Sequence, residues 1–214
     1  MPSTVPDALL FITPGCPHCP VVLQGLSEMV KQGTIGKLTV INAAAHPELV
    51  AEQGVRAAPW LRLGPFTLTG AQTQAQLQQW AVWAGSQEGL LHYLEHLFKA
   101  GDLKGAETFI AAQPERLVLL LAIITNPEEA ITVRLGANAL LEGYAGRSEL
   151  QALLPQLTEL SRHDDHRIRV DACHLLGLTA STEARPALEA CLRDENAEVR
   201  DIATDALATL PQLQ

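Results

Sequence analysis

Cysteine offers the most direct route to chemistry in this sequence, and two of its four cysteines stand three apart in Cys16-Pro17-His18-Cys19. At the start of a helix that spacing lets the two sulfurs face each other and close a small disulfide ring. The unpaired backbone N–H groups of a helix N-terminus and the positive end of its dipole stabilise a thiolate, which is the nucleophile of disulfide exchange. Cys16 is therefore the expected attacking residue and Cys19 the buried resolving one. His18, protonated or donating a hydrogen bond, lowers the Cys16 pKa further and so stabilises the reduced form, which makes the pair a better oxidant. The same cysteines could alternatively supply half of a tetrahedral zinc site, with His18 and His46 completing it. A second cysteine pair at suitable spacing is missing, because Cys173 and Cys191 stand 18 apart in a helical region, so neither a metal nor a cofactor is expected.

The motif needs a strand to deliver it and a helix to receive it, and residues 1–85 provide both. Ala8-Leu-Leu-Phe-Ile-Thr13 is a short apolar run ended by Pro14-Gly15, as a buried strand should be. From Pro17 to about Lys31, apolar residues recur at helical spacing, with Gly33 as a stop. Leu38 to Ile41 reads as a second strand, and Pro47 to Gln53 as a short helix closed by Gly54. Trp60 to Leu63 and Phe66 to Thr69, separated by Gly64-Pro65, read as a hairpin, after which Thr73 caps a helix reaching about Ala84. The order β-α-β-α-β-β-α makes this an α/β domain whose first two strands are parallel, with the cysteines in the loop at the carboxyl edge of the sheet.

Charge changes abruptly beyond that point. Residues 1–85 hold four acids and four bases, whereas residues 86–214 hold 20 acids and 11 bases, so the whole net charge of -9 lies in the second part. The step supports two domains, 1–85 and 86–214, and the acidic balance argues against a nucleic-acid partner, which needs a basic face. The second part repeats itself: Val133-Arg134-x-x-Ala137-x-Ala139-Leu140 is echoed by Ile168-Arg169-x-x-Ala172-x-x-Leu175-Leu176 and by Val199-Arg200-x-x-Ala203-x-x-Ala206-Leu207, with arginines 35 and then 31 residues apart. Acidic or Asn residues precede each arginine as helix-start signals, and alanines at helical spacing let neighbouring helices approach closely, so stacked helix pairs are expected. The arginines are expected to pair with acids of the preceding repeat. Trp80 and Trp83, near the boundary, could pack the domains together or cover the last helix of the first.

These motifs carry two resemblances. Residues 133–207 resemble HEAT repeats of the short form, with an Asp-rich turn, Val-Arg and an Ala-Leu helix. Phe11-Ile-Thr-Pro-Gly-Cys16-Pro-His-Cys19-Pro20, followed by His46-Pro-Glu-Leu-Val-Ala-Glu-Gln-Gly-Val-Arg-Ala-Ala-Pro59-Trp60, resembles the thioredoxin superfamily over residues 8–84. It is especially similar to modules of protein disulfide oxidoreductases and to the N-terminal domain of alkyl hydroperoxide reductase flavoproteins. The resemblance implies a cis peptide bond at Ala58-Pro59 beside the dithiol and an Ala58 backbone that pairs with an incoming peptide. Taken alone, Pro59 would be read as an ordinary trans proline. Many thioredoxins also carry a buried Asp six residues before the first cysteine, where this sequence has Leu10.

Weaker signals have bland explanations. His92 and His96, four apart on a helix, lack a third ligand, and His163-Asp-Asp-His166 sits where an Asp caps the next helix. Cys173 and Cys191 read as small core residues. No segment is apolar and long enough to span a bilayer, and no leader is evident before Ala8, so a soluble cytoplasmic protein is expected. The expected function is thiol-disulfide exchange on a protein thiol or disulfide substrate, with the helical repeats holding a basic or neutral protein partner and raising its concentration near Cys16. The competing reading is an adaptor or chaperone-like protein that keeps the redox fold as a scaffold.

Overall fold

A computed structural model describes residues 5–211, which form two compact units divided between Tyr93 and Leu94. The first unit opens with β1 (Ala8–Ile12), α1 (Cys19–Gln32), β2 (Leu38–Asn42) and α2 (Pro47–Gln53). It continues with β3 (Trp60–Leu63), β4 (Phe66–Thr69) and α3 (Gln74–Trp83). The strands make one mixed sheet in the order β2-β1-β3-β4. β1 runs parallel to β2, with Leu10 opposite Val40, and antiparallel to β3, with Phe11 opposite Trp60. A central strand has neighbours on both edges, which is why β1 is almost wholly apolar and why Leu10 and Phe11 are fully buried. The α/β order expected from the sequence is the one observed.

Local signals set the ends of the helices. Gly33 ends α1 with φ 74°, a left-handed conformation that an L side chain rarely adopts, and its N–H bonds the Met29 and Val30 carbonyls. Thr73 opens α3 with a reciprocal capping box, its hydroxyl accepting from the Gln76 N–H while the Gln76 side chain accepts from the Thr73 N–H. α1 begins two residues later than the apolar periodicity predicts, because Pro17 and His18 belong to the turn that brings Cys16 back over the helix start.

Trp80 lies in the core of the first unit, edge-on to Phe66, Trp83 and Tyr93. Tyr93, on α4 (Gln87–Lys99), is buried; its hydroxyl donates to the Thr67 carbonyl at 2.8 Å and accepts from the Thr67 N–H at 3.0 Å. Strand β4 is the edge of the sheet, so this phenol occupies backbone groups that would otherwise be open to another strand. The unit therefore extends to Tyr93, past the charge step near residue 86.

Among its described residues the second unit contains helices and turns but no strand. After α4 come α5 (Leu103–Ala112), α6 (Leu119–Ile124), α7 (Ile131–Glu142), α8 (Ser148–Gln151) and α9 (Leu154–Leu160). They are followed by α10 (His166–Leu178), α11 (Arg185–Cys191) and α12 (Ala197–Thr209). Asp165 caps α10 and Asn196 caps α12 through their side chains, as the repeated polar turns predict. α10 packs on α9 and on α12, and a Cβ at Gly177 would meet the Ala206 Cβ at 2.7 Å, so the small residues do bring these helices close together.

Arg134 and Arg169 pair forwards, which corrects the expectation that the repeat arginines pair with the preceding repeat. Arg169 binds Asp194 in a bidentate fork, Nε to Oδ2 at 2.7 Å and Nη2 to Oδ1 at 2.8 Å, and Asp194 lies in the next inter-helix turn. Arg134 likewise faces Asp171 of the following unit, at 3.8 Å. The reason lies in what each guanidinium does behind itself: Arg169 Nη1 donates to the carbonyls of His163 and Asp164, and Arg200 Nη1 repeats this on Asp194 and Glu195. With the backward direction filled by its own turn, the remaining edge of Arg169 meets the acid ahead.

Candidate functional site

Strand β1 ends at Ile12, and the chain turns through Pro14 and Gly15, whose φ of 77° suits glycine, to reach Cys16. Cys16 and Cys19 are joined as a disulfide with Cα atoms 5.5 Å apart. Cys19 is the first residue of α1 and is buried, whereas Cys16 is half-buried and flanked by exposed Pro17 and His18. His18 holds the N-cap position, where its side chain makes no capping bond.

The acceptor at the helix start is sulfur. The Cys19 N–H donates to Cys16 Sγ at 3.2 Å. Pro17 and Pro20 carry no N–H, and the Cys19 N–H, one of the backbone donors left at this helix start, points at the sulfur. The same bond made to a thiolate is charge-assisted and about twice as strong as one between neutral groups, which favours the ionised form of Cys16. This sulfur-capped geometry was not read from the sequence, although the two prolines bracketing His18 and Cys19 are its signal.

The Ala58-Pro59 peptide bond is cis, and Pro59 is buried immediately before β3. Since Phe11 stands opposite Trp60, the preceding Pro59 falls level with Ile12, at the sheet edge where the dithiol loop leaves β1. Hairpin pairing anchors it there, the Gly70 N–H donating to the Pro59 carbonyl at 2.9 Å. Leu10 lies fully buried between Val40 and Leu61, so no carboxylate takes that position in the core. Exposed Val21, on the first turn of α1, adds an apolar contact surface close to the motif.

The other residues with possible chemistry are engaged locally. His46 contacts Glu48 at 3.0 Å, and the His92 ring lies 4.6 Å from that of Trp83. His163 Nδ1 accepts from the Asp165 N–H, within the turn where Asp165 caps α10. Burial lowers the pKa of His96. Cys173 and Cys191 are both buried free thiols. Among the described residues no helix is long and apolar enough to cross a membrane.

Residues 9–81 match the family model described as thioredoxin domain, and residues 117–208 match the one described as HEAT repeats. No curated protein matches the chain. The chain thus joins a thioredoxin-like α/β domain to C-terminal HEAT repeats.

Proposed function

We propose that the chain is a thiol-disulfide oxidoreductase acting on protein substrates, in which Cys16 attacks, Cys19 resolves, and His18 favours the Cys16 thiolate. Pro59, with Ala58, positions the substrate backbone beside the dithiol. The observation that carries this reading is the asymmetry of the pair: Cys16 is half-buried with its Sγ bonded to a helix-start N–H, while Cys19 is buried. A reduced Cys16 thiolate attacks one sulfur of a substrate disulfide, the substrate S–S bond breaks, and the departing thiolate takes a proton. Cys19, having lost its own proton, then attacks Cys16 Sγ and expels the second substrate thiolate. Two thiols of the protein become one disulfide, and the substrate gains two electrons and two protons.

The helical repeats supply the partner surface, and their acidic excess favours a basic or neutral protein. A cytoplasmic location belongs to the same proposal; the two buried free thiols in the second unit accord with a reducing compartment. The test is a Cys19→Ser variant, which should stall after the first attack as a mixed disulfide between Cys16 and the substrate. Mapping the linkage should find Cys16; a linkage through Cys173 or Cys191, or none with any protein disulfide, would count against the assignment.

A further inference from the structure

We propose that the chain pairs with a second copy of itself through strand β2, joining the two sheets antiparallel about Val40. The order β2-β1-β3-β4 leaves β2 and β4 as edges, and the Tyr93 phenol already occupies the Thr67 backbone on β4. The open edge is β2, whose Val40 is 40% exposed. The Lys37 carbonyl accepts from the Ala8 N–H, and the Ala43 N–H donates to the Ile12 carbonyl. A parallel ladder engages alternate residues of a strand, so Thr39 and Ile41 also face β1, while Leu38, Val40 and Asn42 aim their backbone groups away from the sheet. Of those groups the Asn42 carbonyl accepts from the Ala45 N–H at 3.0 Å, within its own turn.

The outward groups are self-complementary, which selects a second copy as the occupant. Antiparallel pairing centred on Val40 lets the two Val40 residues exchange N–H···O=C bonds. It also sets Leu38 of each copy opposite Asn42 of the other, where the Asn42 N–H meets the Leu38 carbonyl. No other centre engages all three outward residues of both strands. β2 reads Leu-Thr-Val-Ile-Asn and carries neither charge nor proline, two devices that keep an edge strand from pairing. Residues 1–85 hold four acids and four bases, so the net charge of this domain does not oppose the contact.

A strand pair this short is marginal by itself, and side chains must add apolar area. Val40 lies beside Leu10 in the register, and Leu10, Leu61 and Leu68 share the sheet face on which Phe66 meets Trp80 of α3. α1 packs on α3 at Gly25, against Gln74 and Leu77, so α1 covers that same face. Val30 falls on the side of α1 turned away from α3 and is 37% exposed. A two-fold axis through Val40 and normal to the sheet sets the two α1 helices side by side, where Val30 and Val40 of both copies shield one another from water. The two dithiol loops then lie at opposite ends of the joined sheet.

Sedimentation of the full chain under reducing conditions tests this. The apparent mass should rise from one chain to two with concentration, and Val40→Pro and Val40→Lys should each abolish the rise. Proline removes an N–H that β1 does not use, which an edge strand tolerates, and lysine sets like charges face to face. The register is read by mild oxidation of chains whose Cys16 and Cys19 are serine, Cys173 and Cys191 being buried. Val40→Cys should link to its own copy, because residues of a hydrogen-bonded antiparallel pair have Cα atoms about 5.5 Å apart, within the span of a disulfide. Leu38→Cys should link to Asn42→Cys in a mixture and not to itself. A chain that stays monomeric at every concentration would overturn the proposal and leave the edge to an extended segment of another protein. So would a dimer that survives both Val40 variants, or cysteine linkages that depart from this register.

Discussion

Replacing Cys16 by serine should lower the rate at which the reduced protein opens an accessible disulfide by about a thousandfold or more, because it removes the nucleophile itself. A hydroxyl is not ionised near neutral pH and forms no stable bond to a substrate sulfur, so neither the helix start nor His18 can rescue it. The fold should be retained. Serine is nearly the same shape, and its oxygen can accept the Cys19 N–H as a normal capping side chain does, replacing the bond that Cys16 Sγ makes at 3.2 Å. The rate is read by following reduction of a protein disulfide under single turnover, and thermal unfolding of the variant reports on the fold. An unchanged rate in a folded variant would move the protein to the adaptor class, with the redox fold serving as a scaffold.

Arg169→Ala should destabilise the second unit by about 3 kcal/mol, the scale for removing one partner from a buried ion pair. The Arg169 side chain is 9% exposed and that of Asp194 12%. Alanine would leave the Asp194 carboxylate without its fork and the carbonyls of His163 and Asp164 without their donor. Lysine should recover only part of the loss, since an ammonium cannot span a carboxylate and two carbonyls as a planar guanidinium does. The Arg169 guanidinium holds the Asp194 carboxyl below the usual carboxylate range. The stability it contributes is present above that range and is lost as pH falls towards the lowered pKa, so the acid sensitivity of unfolding should shrink in Arg169→Ala. Denaturant unfolding as a function of pH measures both effects, while disulfide exchange at Cys16 should be unaffected.

The contrast between these two sites shows what a sequence reveals. The Cys16-Pro17-His18-Cys19 site is legible because its parts are contiguous: the strand, the turn and the helix that hold it are each written in local residue types. Pro59 lies 40 residues beyond Cys19, and only the resemblance of its surroundings brought it to the same sheet edge. The register of β1 against β3 supplies the physical link. The arginine repeat predicted stacked helices correctly but gave the wrong direction of pairing. Periodicity says which residue types recur, while the partner depends on which side of the guanidinium its own turn already fills.

Proline positions proved more informative than their usual role as breakers suggests. Pro17 and Pro20 remove two N–H groups around this turn, and the Cys19 N–H between them is bonded to sulfur. The pattern is simple enough to test elsewhere in the chain: Pro155 and Pro186 also sit in the first turns of α9 and α11, but no sulfur accepts there, and they serve only to start helices.

The reduction potential of the Cys16–Cys19 pair, measured by equilibrating the full chain with glutathione redox buffers and counting Cys16 thiols, bears most directly on whether this disulfide exchanges or merely braces the fold. An accessible pair whose reduced form is stabilised at a helix start should titrate above about −300 mV, within reach of cellular thiols. A potential below about −300 mV, where structural disulfides lie, would contradict the account.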